Sequence, residues 1–304
     1  MNRKPLLSWI LNVLFILSLL FIIIYLFRLE WLGVPVVYSM LSLIVSVLLL
    51  LVGFMVDSRA WMVIVSPGIP TITYRDAFVS SGKYIFAKYI PGKLWIIFGK
   101  AGYLKNRYKA SLIILSSYAI VYHVFGIFTA ILLSLGATSV INMTLFYFLL
   151  IPIVFSIILM AFFQRPSFKI FSSLISWLLR RNITIPALSS IIILKSFFLS
   201  LLTWVVWSLA FFLFIKAIFV PGAVLTFNFG LVFPMSAIMG MIVLIAPGGL
   251  GVREGFLALG LTALGMPTKE AATIAMFSRV WFMLGELLIF SISIFLSNQK
   301  SFNE

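Results

Sequence analysis

Apolar residues in this chain come in long runs broken by short clusters of charge. The runs lie at about residues 6–27, 36–56, 112–135, 143–163, 196–215, 223–246 and 271–296. Most reach the ~20 residues needed to cross ~30 Å of hydrocarbon as helix, so the pattern predicts six or seven full spans. Two stretches break it. One lies around Pro91-Gly92, where apolar pieces such as Leu94-Trp95-Ile96-Ile97-Phe98 are too short to cross. The other is Ala246-Pro247-Gly248-Gly249-Leu250-Gly251-Val252-Arg253-Glu254-Gly255, where three glycines and a proline within Pro247 to Gly251 undo regular helix beside two charges. Each charge would cost roughly 2.5–3.5 kcal/mol at the centre of a spanning helix, and the free backbone there must face protein or water. An irregular, charged segment at that depth implies a cavity.

Composition agrees with the pattern. Of 304 residues 63% are hydrophobic and 10% charged, with a mean hydropathy of +1.22. This is a polytopic, all-α membrane protein of about 6–8 spans, read as a single integral membrane domain over 1–304. The first run follows Arg3 and Lys4 like a signal peptide, but it is too long and lacks a small-residue cleavage site, so an uncleaved first helix is expected. Without cysteine, disulfides and thiolate chemistry are excluded, and with only His123 histidine-rich metal sites and Ser-His-Asp catalysis drop out too. No cofactor is implied.

The net charge of +15 is placed unevenly. Arg59, Arg75, Lys83, Lys88, Lys93, Lys100, Lys105, Arg107 and Lys109 crowd the connection after Asp57, with only Asp76 against them, and the connection at 165–195 carries five cations and no acid. Both are expected on the cytoplasmic side, with the N-terminus inside. No soluble basic module is present to bind nucleic acid.

Pro91-Gly92 and Pro247-Gly248 lie 156 residues apart, and each is followed 20 to 24 residues later by a long apolar run. Loop charge brings the first interruption in from the cytoplasm and the second from outside, which suggests inverted repeats of about 1–140 and 141–304 with two re-entrant segments. An amphipathic pair lying on anionic lipid is the competing reading for the first.

Free amides at the glycine turn, before a helix expected at about 255–264, would make an anion-binding concavity suited to a lipid phosphate. Arg279 and Glu286 share a face of the last helix but sit about 10.5 Å apart along it, too far to pair. Arg279 with Glu254, and Glu286 with Arg253 or a lysine of the first half, would satisfy them. A buried ion-pair network that merely holds the broken helix is the alternative. Lys93 and Lys100 could neutralise phosphate oxygens, although positive-inside bias also explains them. His123 reads as hydrogen-bonded within the bundle, and Trp9, Trp31, Trp61 and Trp177 as interface anchors.

Pro247-Gly248-Gly249-Leu250-Gly251-Val252-Arg253-Glu254-Gly255 resembles the signature of the lysylphosphatidylglycerol synthase transmembrane-region family, also called flippase-like proteins. Tyr89-Ile90-Pro91-Gly92-Lys93-Leu94-Trp95 with Lys100 resembles that family's earlier Pro-Gly motif, which more often has an arginine near Lys100, and Arg279 resembles its late helix arginine. The likeness covers nearly the whole chain. It implies a prokaryotic cytoplasmic-membrane protein that binds or moves an anionic phospholipid or lipid-linked glycan in envelope biogenesis, often beside a glycosyltransferase. Lys93, Lys100, Gly248, Gly249, Gly251, Arg253, Glu254, Arg279 and Glu286 would bind the lipid, shaped by Tyr89, Pro91, Gly92, Trp95, Pro247 and Gly255. The aminoacyltransferase domain of the longer relatives is not expected in a chain ending at Glu304. A membrane-embedded transferase acting on a polyprenyl-phosphate or phospholipid, or an accessory subunit of a glycosyltransferase, are the rival readings.

Overall fold

The computed structural model describes residues 35–90, 95–141, 169, 172–173, 176–177, 188–219, 225–242 and 249–298. The apolar runs at 6–27 and 143–163, together with Pro91, Gly92, Lys93, Pro247 and Gly248, lie outside them. In chain order the helices are α1 (Met40–Val65), α2 (Tyr74–Lys83), a 3-10 turn (Ile85–Tyr89), α3 (Trp95–Tyr108), α4 (Leu112–Ile141), α5 (Ser190–Ile218), α6 (Asn228–Ile242), α7 (Val252–Ala263) and α8 (Thr268–Asn298). Among the described residues there is no strand, as expected where lipid obliges each segment to satisfy its own backbone. Four helices, α1, α4, α5 and α8, are long and apolar enough to cross a membrane.

Two of these outrun their apolar patterns. α1 continues nine residues beyond Val56 through Asp57 and Arg59, because nothing breaks helix before Pro67-Gly68 and Asp57 finds a partner in the bundle. α5 begins six residues before Ser196, with Lys195 exposed on its surface, where a long stem can carry the charge outward. The two pack antiparallel. Ala217 O accepts from the amides of Tyr38 and Ser39 at one end, at 2.8 and 3.3 Å. Midway, Trp207 Nε1 donates to Leu50 O at 3.3 Å, and its ring fills the space that a side chain at Gly53 would need.

The run at 223–246 is not a full crossing. α6 is fifteen residues long, about 22 Å, and the chain then reverses, for Gly249 returns against Gly240 and Gly260 against Val232. An ideal Cβ on Gly249 would lie 2.5 Å from the Gly240 backbone. α6 and α7 therefore form a hairpin whose base joins α8 through Gly265, at φ +94°. Its turning end meets α8 at Arg279, eleven residues in, about 17 Å from Thr268.

The basic region after α1 folds into a second hairpin along the other end of α8. Arg75 Nη2 donates to Leu296 O at 2.5 Å, Ser293 Oγ to Phe78 O at 3.5 Å, and Lys88 and Tyr89 reach Glu286. That arm descends about 15 Å beside α8. α3 returns with Gly99 under Tyr84, and its last residues close the base. There Tyr108 OH donates to Asp76 Oδ2 at 2.5 Å and accepts from Thr73 N at 3.1 Å, while Arg107 Nε lies 3.8 Å from Asp76 Oδ1. The hairpins thus enter from opposite ends of α8 and meet between Arg279 and Glu286. A span, a hairpin and a long helix recur in the same order in both parts of the chain, and a shift of 156 residues carries the start of α4 onto that of α8.

Candidate functional site

The glycines of the second hairpin set its charges in place. Gly249 and Gly251 hold φ of +72° and +81°, which other residues adopt only with strain, and α7 consequently starts at Val252, three residues ahead of its expected position. Glu254 Oε2 accepts from Gly251 N at 2.7 Å, supplying the carboxylate half of a capping box. Its other oxygen lies 3.4 Å from Arg279 Nη1. The guanidinium of Arg279 stands 5.4 Å from the centre of the Tyr89 ring. Tyr89 in turn donates through its OH to Glu286 Oε2 at 2.9 Å, and Lys88 Nζ forms an ion pair with Glu286 Oε1. Each hairpin therefore places one ion pair on α8.

Arg279 meets Glu254, and Glu286 meets a lysine of the first half. That lysine is Lys88 in the 3-10 turn. Arg253 pairs instead with rings: its guanidinium carbon lies 5.0 Å from the centroids of both Phe233 and Phe282, and only 6% of the residue is exposed. Its Nε and Nη2 have no hydrogen-bond partner among the described residues. These two donors form one edge of the guanidinium, the edge that grips two oxygens at once.

Arg253 lines a cavity of about 340 Å³ between the hairpins, together with Lys88, Lys100, Arg279 and Asp57. Lys100, 4% exposed on α3, stands 4.7 Å above the Tyr122 ring and 5.6 Å from that of Trp61. Tyr122 OH donates to Asp57 Oδ1. His123, also on the wall, bonds the Ala119 carbonyl through Nδ1 at 2.7 Å. Trp61, expected at an interface, is fully buried and donates from Nε1 to Ser80 Oγ at 3.0 Å, because α2 and α3 cover it.

Tyr89, Lys100, Arg253, Glu254, Arg279 and Glu286 thus gather at or beside one cavity. Gly249 and Gly251 shape its edge. Trp95 lies 47% exposed at the start of α3, and Gly255 faces open space on α7 with no packing that requires glycine. Lys93, Gly248, Pro91, Gly92 and Pro247 lie outside the described residues. Asp57, Ser81, Lys88, Tyr122, Phe233 and Phe282 join the site without having stood out in the sequence. Asp57 carried a signal, an acid at the end of an apolar run; Lys88 was one cation among many.

The family model for the lysylphosphatidylglycerol synthase TM region matches residues 9–284. The chain belongs to that family. No curated protein and no solved structure matches it.

Proposed function

We propose that this membrane protein holds the anionic head group of a lipid in the cavity between its two hairpins and carries it across the bilayer, as a flippase of envelope biogenesis in a prokaryotic cytoplasmic membrane. The observation that carries the reading is the free edge of Arg253. A buried guanidinium whose donors lack partners leaves a desolvation cost that an oxyanion would offset. The neighbouring ion pairs support it. Glu254 and Glu286 engage Arg279 and Lys88, so the unengaged edge of Arg253 is the place where an incoming phosphate meets least competition. Hairpins entering from opposite ends of α8 support a cavity within reach of both faces, the arrangement that alternating access requires. The cluster of basic residues flanking the first hairpin supports a cytoplasmic position for its base and for the N-terminus.

Proteoliposomes containing fluorescent phosphatidylglycerol test the reading. Wild-type protein should speed exchange of the head group between leaflets, and Arg253→Gln should abolish it while unfolding at the same temperature in detergent. Normal exchange by Arg253→Gln would sink the assignment.

A further inference from the structure

Asp57, His123 and Ser81 give another part of the cavity wall a different chemistry. Asp57 Oδ1 is taken by Tyr122, while Oδ2 has no donor among the described residues. Because a carbonyl can only accept, the Ala119 contact makes Nδ1 of neutral His123 the donor and leaves Nε2 as an acceptor. Ser81, 4% exposed and on the same wall, has an Oγ with no partner among the described residues. Two acceptors and a hydroxyl therefore wait for a ligand that donates hydrogen bonds. An ammonium would satisfy a lone carboxylate, but Lys100 already stands over the Tyr122 ring whose hydroxyl binds Asp57, so a second cation there would be repelled. Neutral hydroxyl groups donate without adding charge.

Phe54 and Phe282 join the two parts of the wall. Their rings lie 5.5 Å apart, with Phe282 against Arg253 and Phe54 one helical turn before Asp57. One head group of modest size can touch both. A volume of about 340 Å³ sits near the lower limit of small-molecule sites, a size that suits a single compact head group.

We propose that the Asp57 part of the wall is a hydroxyl receptor, so that the ligand is a monoanionic phosphate diester bearing a polyol: glycerol, as in phosphatidylglycerol, or a single sugar, as in a polyprenyl glycosyl phosphate. The inference rests on Arg253 as the phosphate receptor. The same electrostatics favours a neutral polyol over an aminoacylated head group.

Native mass spectrometry of the full chain in detergent tests it with four short-chain lipids: phosphatidylglycerol, a polyprenyl glucosyl phosphate, lysyl-phosphatidylglycerol, and phosphatidylmethanol, which has the diester charge and no polyol. Wild-type protein should retain at least one polyol diester about tenfold over phosphatidylmethanol. Which polyol lipid is favoured identifies the source. Asp57→Asn and Ser81→Ala, with unfolding temperature as the control for folding, should each shrink that preference below about threefold while still retaining phosphatidylmethanol. Equal retention of phosphatidylmethanol by wild type, a preference surviving both variants, or a preference for the lysyl lipid each overturns the hydroxyl receptor. Failure of wild type to retain any monoanionic lipid, or full retention by Arg253→Gln, overturns the phosphate reading beneath it instead.

Discussion

Arg253 sits between two phenyl rings with one edge unengaged among the described residues, an arrangement that costs stability unless something binds there. Arg253→Met removes the unsatisfied donors and keeps the contacts with Phe233 and Phe282, so its unfolding temperature should match or exceed that of wild type in lipid-free detergent. Arg253→Lys keeps the charge but loses the two-pronged edge, and lipid retention by native mass spectrometry should fall about tenfold or more. Glu286 behaves oppositely. It is fully buried against Lys88 and Tyr89, and Glu286→Gln would leave the Lys88 ammonium without its counter-charge. Because Lys88 keeps 29% of its side chain exposed, the loss should be about 2–3 kcal/mol, below the range for fully enclosed pairs. Chemical denaturation would measure it, and adding Lys88→Met to Glu286→Gln should recover most of the loss.

Among the hairpin elements, glycines that look alike in sequence divide sharply. Gly249→Ala puts a Cβ at positive φ and 2.5 Å from the Gly240 backbone, and it should cost more than about 2 kcal/mol and disturb lipid retention. Gly255→Ala meets open space inside α7 and should be neutral or stabilising by about 0.5–1 kcal/mol, read as a shift in unfolding temperature. The motif suggested a shaping role for Gly255 that its surroundings do not require. What could be read in the sequence was the anomaly: Arg253, Glu254, Arg279 and Glu286 stood out because charge in an apolar run needs a partner. Lys88 and Asp57 did not, since a cation in a basic connection and an acid at the end of a run already have an ordinary explanation. The apolar run at 223–246 counted as a span because hydropathy records length and not reversal, and the reversal depends on the close contact of Gly240 with Gly249. Trp61 was misplaced for a similar reason, since its cover comes from α2 and α3, distant in sequence or too short to show as membrane segments.

For the whole molecule, the consequential property is the opposite entry of the hairpins. Arg75 at Leu296 fixes one base near the C-terminal end of α8, and Gly265 ties the other to its N-terminal end. α8 is 31 residues long, about 46 Å, enough to cross the hydrocarbon and hold those bases on opposite faces. The proposed transport requires that the cavity not open to both sides together, and the ion pairs Lys88–Glu286 and Arg279–Glu254 each tie one hairpin to the shared helix where such a gate would act. The chain has no cysteine, so single substitutions report sidedness without background. Lys105 and Lys269 are both exposed, near the first and second bases respectively. In sealed right-side-out vesicles a membrane-impermeant maleimide should label Lys269→Cys and spare Lys105→Cys, and in inverted vesicles the order should reverse. Labelling of both from one face would remove the opposite entry and with it the two-sided cavity. Reversed sidedness of the pair would keep the architecture and overturn only the orientation drawn from the basic connections.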